Sequence, residues 1–240
     1  MIDWLRRDRS EPAVKVAGRV LPLAVTRRNS ARRMTLRVAD DGSHLKLTLP
    51  RWGRTQDALE FARSRSEWIA GVLSRLPERA PPRPGGMILY RGEELLIDWA
   101  ADAPRKVVRD GARLRLGGPP DSLAARLRRW LELEAQALME SDLAQFCERA
   151  GVAVPPLRLS RARRRWGSCS SAGTVRINWR LVQAPDEVRR SVVAHEVAHL
   201  VHFDHSREFH ALFACIFDGD TSAADDWLKS HGRNLYAHFD

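Results

Sequence analysis

Residues 188–210 read VRRSVVAHEVAHLVHFDHSREFH, and this stretch decides how the rest of the chain is read. It contains His195-Glu196-Val197-Ala198-His199, a match to the H-E-x-x-H pattern. On a helix, positions i and i+4 share a face one turn apart, so His195 and His199 can offer ring nitrogens to one metal ion. Glu196 lies about 100° further round and borders the same site without having to be a ligand. Val188, Val192, Val193, Ala194, Val197, Ala198, Leu200 and Val201 cover most of the circumference, which predicts a core helix. Two imidazoles and a carboxylate in such a helix are costly if unpartnered. Ordinary hydrogen-bonded pairing would relieve that cost, but three specified residues at fixed spacing favour a cation.

A catalytic zinc usually takes three protein ligands and keeps one position open. His202 continues the stripe at i+7, but the rise per residue places it roughly 10 Å along the axis from His195. One ion with bonds near 2.0–2.1 Å does not span that distance easily. His205 reaches the site only if the helix ends around His202–Asp204 and the chain folds back. Ser206 before Arg207-Glu208-Phe209 has the form of an N-cap, which supports such a break and makes His205 the expected third ligand. His202 is then a rim residue, and His210 an ordinary position on the next helix.

These residues, together with Arg165-Trp166-Gly167-Ser168-Cys169, Gly173-Thr174-Val175-Arg176-Ile177-Asn178, Pro185, Leu200 and Asp204-His205-Ser206 with Phe209, resemble the YgjP-like family of zinc metallopeptidases, related to the SprT-like and WLM zincins. The resemblance is specific over about residues 155–215. It implies His195, His199 and His205 as metal ligands, one zinc ion per chain, and Glu196 as the catalytic residue. His210 departs from the pattern, which has tryptophan there.

The chain has 240 residues, enough for one large domain or two small ones. No run approaches the roughly 20 apolar residues of a membrane span. The first residues, MIDWLRRDRSEP, lack the apolar core of a secretory signal. Cys147, Cys169 and Cys215 are few and odd in number, which fits a reducing cytoplasm better than a disulfide framework. Cys169 reads as a small buried residue rather than a ligand.

A net charge of +10 suggests polyanionic partners, but the positive charge is nearly all arginine spread along the chain. Nucleic acid is therefore a possible partner and not the favoured one. The expected partner is a peptide or protein substrate. Arg163, Arg165 and Asn178 are the candidate substrate-binding residues, and Arg163, Arg165, His202 and Tyr236 are possible donors to a developing oxyanion.

Along the chain, alternation over 13–50 predicts strands, with a hairpin turn at Asp40-Asp41-Gly42. Helical spacing over 55–76 predicts one helix that buries Trp68 among others. Pro and Gly punctuate 77–86. Short strands follow at 87–90, 94–99, 106–108 and 114–116, forming either an extension of the first sheet or a platform for later helices. A long helix is expected from about Asp121 to Ala150. Two or three strands follow over 155–180, one of them an edge to which substrate backbone could add. Pro185-Asp186-Glu187 opens the metal-bearing helix, and a helix runs from Ser206 to about Phe217. Thr221 or Ser222 is expected to cap the last helix. Asp218, Asp220, Asp225 and Asp226 read as helix-start residues, with orientation of a ligand histidine as the alternative.

The expected fold class is α+β. A zincin-like catalytic domain at 119–240, a small sheet packed on helices bearing H-E-x-x-H, follows a β-rich accessory region with one helix at 1–118. The expected activity is peptide-bond hydrolysis. A DNA-associated protease or nucleic-acid-binding module, and a metal hydrolase for a non-peptide bond, are the rivals.

Overall fold

A computed structural model of the chain describes residues 12–39, 42–74 and 81–239. The chain divides into two compact units, residues 1–76 and 77–240.

In the first unit, strands β1 (Ala13–Val16), β2 (Arg19–Arg28), β3 (Thr35–Val38) and β4 (Leu45–Pro50) form one sheet in the order β1-β2-β4-β3. Alternation puts Val14, Val16, Leu21, Leu23, Leu45, Leu47 and Leu49 on one face. Helices α1 (Thr55–Ser64) and α2 (Ser66–Leu73) bury Ala58, Ala62 and Ile69 in the same core. β3 pairs antiparallel with β4; of the turn expected between them, Asp40 and Asp41 lie outside the described residues.

The single helix expected over 55–76 is two. Arg65, at φ −106° and ψ 16°, leaves helical geometry, and the Ser64 hydroxyl donates to the Phe61 carbonyl at 2.9 Å, competing with the helical ladder. The change of direction buries Ile69 completely and leaves Trp68 48% exposed, contrary to the expected stripe.

The second unit opens with β5 (Met87–Tyr90), β6 (Glu93–Trp99), β7 (Val108–Asp110) and β8 (Arg113–Leu116), again ordered β5-β6-β8-β7. The two four-stranded sheets share one topology: an antiparallel hairpin, a parallel central pair and an antiparallel last pair. Both first hairpins close on two residues with positive φ, Ala17-Gly18 and Arg91-Gly92, as a type I′ turn requires.

The compact units part at 76/77, and residues 87–116 fall with the long helix for a packing reason. Ile88, Leu95, Ile97, Leu114 and Leu116 share one core with Leu123, Leu127 and Leu131 of α3 (Leu123–Ala150), so the second sheet is a platform under that helix. α3 buries every third or fourth residue from Leu123 to Phe146.

A three-stranded sheet follows: β9 (Leu157–Ser160), β10 (Gly167–Cys169) and β11 (Val175–Asn178), in the order β10-β11-β9. A 3-10 segment, Trp179–Gln183, leads to α4 (Asp186–Ala198), and α5 (Arg207–Ile216), α6 (Thr221–His231) and a 3-10 turn (Gly232–Tyr236) complete the unit. Asp220, rather than Thr221 or Ser222, caps α6: its Oδ1 accepts from the Ser222 and Ala223 amides at 2.9 and 3.0 Å.

Two devices fix α4. The β5–β6 turn donates from Arg91 and Gly92 to the carbonyls of Val182 and Gln183, and Arg91 pairs with Asp186 in the first turn of α4. Beneath it, Asp142 of α3 accepts from Arg189 at 2.8 Å and Arg190 at 2.9 Å, with the Arg189–Asp142 pair almost wholly buried. Removing one member of such a pair strands the other charge, so Asp142→Ala is expected to cost roughly 3–5 kcal/mol. A urea unfolding midpoint checks this.

Candidate metal centre

α4 carries His195 and His199 on one face, and its last turn tightens. Leu200 and Val201 donate to the carbonyls of Val197 and Ala198, three residues back. Regular helix therefore ends at Ala198, about one turn earlier than expected, and the chain leaves through 202–204. Ser206 then caps α5, its hydroxyl accepting from the Phe209 amide. This fold-back returns His205 to the other two imidazoles.

Nε2 of His199 lies 3.1 Å from Nε2 of His195, and Nε2 of His205 lies 3.4 Å from it. Two nitrogens bound to one tetrahedral zinc at 2.0–2.1 Å stand roughly 3.3–3.4 Å apart, so the spacing is that of a ligand set. His199 Nδ1 donates to the His202 carbonyl at 3.0 Å, which leaves the Nε2 lone pair facing the other two rings. His202 thus serves through its backbone, and its ring is not among the three histidines that converge. Burial, with the neighbouring His199, His205 and His210, pushes His195 down to about 4, so it offers a lone pair at neutral pH. These features fit a divalent cation.

Phe209, wholly buried, packs against all three rings, with centroids 5.0 Å from His195, 4.6 Å from His199 and 4.9 Å from His205. It is the apolar floor of the trio. Its spacing from Ser206, at the third residue of a capped helix, is the signal that could have found it.

Glu196 turns the other way, against β10. Only 5% of it is exposed, Oε2 has no hydrogen-bond partner, and burial pushes its carboxyl up to about 7 against the opposing help of the Cys169 amide and the Arg165 charge. Gly167 makes the room: a Cβ there would stand 2.3 Å from Glu196 Oε1 and 2.7 Å from its Cγ and Cδ. Cys169 is half-buried nearby, its thiol pushed up by burial and by Glu196, and it is not in the converging set.

The other expected site residues divide. Arg163 and Arg165 are exposed in the loop entering β10. Asn178, expected to touch substrate, is wholly buried. Its Nδ2 donates to the Ala162 carbonyl at 2.7 Å and to Tyr236 Oη at 3.0 Å, and its Oδ1 accepts from the Arg180 amide. These bonds anchor the arginine loop. Tyr236 spends its hydroxyl proton on the same Ala162 carbonyl, at 3.0 Å, so it is no oxyanion donor in this arrangement. None of the four aspartates orients a ligand histidine: Asp218 pairs with Arg149, Asp220 caps α6, and Asp225 and Asp226 pair with Lys229.

Three convergent imidazoles, with a buried carboxylate next in sequence to the first of them on a helix packed on a small mixed sheet, fit a metal-dependent hydrolase. The family model for the YgjP-like metallopeptidase domain matches residues 32–231, and the chain belongs to that family of metal-dependent peptidases. A solved structure, the metallopeptidase zymogen abylysin of Pyrococcus abyssi, is similar at 20% identity over 42% of this chain and 99% of its own, with a TM-score of 0.35. No curated protein matches significantly. Among the described residues no helix is long and apolar enough to cross a membrane.

Proposed function

We propose that the chain hydrolyses peptide bonds with one zinc ion held by His195, His199 and His205, and with Glu196 as general base. The observation that carries this is the convergence of three histidine nitrogens, with a buried carboxylate next in sequence to one of them on the same helix. Zinc bound there supplies a Lewis acid that polarises a carbonyl and acidifies water.

The protein's own residues supply the proton chemistry. Glu196 sits in a dry niche where its affinity for a proton is near neutrality, the range in which a group can both take and give one. It accepts a proton from the attacking water at a carboxylate oxygen and passes it to the leaving amine. Phe209 keeps solvent from the back of the trio, whereas exposed His205 leaves the front open. β10 is an edge strand beside Glu196, so an extended peptide can add to it through backbone hydrogen bonds. Arg163 and Arg165, in the loop entering that strand, are placed to contact substrate side chains.

Metal analysis beside a His205→Ala variant tests the reading. The parent should hold one zinc and cleave peptides in a chelator-sensitive way. The variant should lose more affinity than the 10–100-fold typical of an outer hydrogen-bond partner. Equal zinc affinity in His205→Ala, or cleavage that survives chelation, contradicts it.

A further inference from the structure

The solvent face of the three-stranded sheet is basic by register. Val175 and Ile177 of β11 are wholly buried, so alternation turns Arg176 outward, and its direct partner on β9 is Arg158, also exposed. Adjacent strands lie about 4.8 Å apart, and like charges directly opposite are destabilising. Some exposed arginines of this unit find carboxylates, among them Arg91 with Asp186, Arg109 with Glu93 and Arg149 with Asp218, and others, such as Arg105 and Arg207, find none among the described residues. Arg158 and Arg176 have no ion pair among the described residues, and neither do Arg164 and Arg165 of the adjoining loop, whereas Arg161 reaches Glu132 at 2.9 Å.

That loop is built, not loose. The Ala162 carbonyl accepts from both buried Asn178 and Tyr236, and the Ala162 amide donates to Ser160 Oγ at 3.1 Å. Neutral hydrogen bonds hold the backbone here, and the guanidinium groups of Arg164 and Arg165 are not needed for it. Gly167 pairs with buried Ile177 and lies against the Glu196 carboxylate on the inner face of the sheet, opposite Arg158 and Arg176, so the basic surface meets the reacting centre through its loop arginine, Arg165, whose charge acts on Glu196.

We propose that Arg158, Arg164, Arg165 and Arg176 form a recognition surface for acidic polypeptide segments and deliver them to the cleft at Glu196. The proposal rests on the peptidase reading and names its substrate class. Polypeptide is favoured over nucleic acid on two observations. β10 is an edge strand, the kind of element to which an extended backbone can add. The one aromatic residue of the loop, Trp166, packs against Tyr236 with ring centroids 5.7 Å apart and fills the space over Gly232 instead of standing free to stack a base.

The test uses the full chain, zinc-loaded and carrying Glu196→Gln, so that binding is read without turnover. A labelled twelve-residue peptide rich in glutamate is compared by fluorescence anisotropy with its glutamine isostere and with a twelve-nucleotide single strand of DNA. The acidic peptide should bind about 10-fold tighter than the isostere and lose that advantage as salt rises from 50 to 200 mM. Adding Arg158→Ser and Arg176→Ser should cut the advantage to about threefold or less; circular dichroism confirms that the variant is folded. Equal binding of the two peptides overturns the proposal, as does a DNA strand that binds while neither peptide discriminates. The parent's cleavage of the isostere separates the two readings. Cleavage without acidic preference sinks the surface alone, whereas selective binding with no cleavage of either peptide sinks the peptidase reading and leaves the surface standing.

Discussion

Glu196→Gln is expected to lower kcat/KM by about 10²–10⁴-fold, the span of a lost general base, while leaving one zinc per chain. Gln keeps the volume and one oxygen but cannot take a proton, and none of the three converging nitrogens belongs to residue 196. Stopped-flow peptide hydrolysis beside metal analysis reads both quantities.

The same variant changes stability in a way whose sign can be worked out for the metal-free protein. Glu196 titrates at about 7 in the fold against an ordinary 4.5. Between those values the folded state holds a proton that the unfolded state has released, so Glu196's contribution to stability falls as pH rises through this window. His195, pushed from 6.5 to about 4, works the other way: below 6.5 the unfolded chain binds a proton that the fold refuses, and stability is lost as pH falls toward 4. From 4.5 to 6.5 the two slopes offset each other. Glu196→Gln removes one of them, so the metal-free variant should exceed its parent by on the order of 3 kcal/mol at pH 8, with the gap closing by pH 4.5. Urea midpoints in chelator across that range measure it.

Gly167→Ala is expected to cut kcat by roughly 10²-fold with metal retained, since misplacing a reacting group by about 1 Å costs that much. Gly167 is not among the positive-φ residues, so alanine meets no backbone penalty there; the conflict is between its methyl group and Glu196. Overpacking of this kind also costs about 1–3 kcal/mol of stability. The cause is separable by a double-mutant cycle. In a Glu196→Ala background the colliding Cγ, Cδ and Oε1 are gone, and the stability cost of Gly167→Ala should largely vanish. An undiminished cost would mean that Gly167 accommodates some other group.

The legible parts of this chain were those where spacing maps onto geometry. The i, i+4 histidines and the polar cap at Ser206 suffice to place His205, because a helix that stops and restarts has few ways to close so short a loop. The stripe of α3 was equally plain, its end marked by Gly151 in left-handed geometry. The clamp made by Asn178 was not legible, because a polar residue at the end of a buried strand looks the same in sequence whether it faces a ligand or holds a neighbouring loop, and no side-chain pattern announces the Ala162 carbonyl. The packing of Leu114 and Leu116 on α3 was not legible because Gly117, Gly118, Pro119 and Pro120 punctuate strongly, while a shared core leaves no local trace. The repeated sheet topology was hidden for a related reason: the two hairpins share a positive-φ turn and alternation but little residue identity.

The central claim is a three-histidine ion with one position left to solvent. A zinc-loaded crystal, with anomalous scattering at the zinc edge, tests it most directly. The account predicts one ion bound by Nε2 of His195, His199 and His205 at 2.0–2.1 Å, with water in the fourth position. An ion that excludes His205, or a protein atom occupying that fourth position, would contradict it.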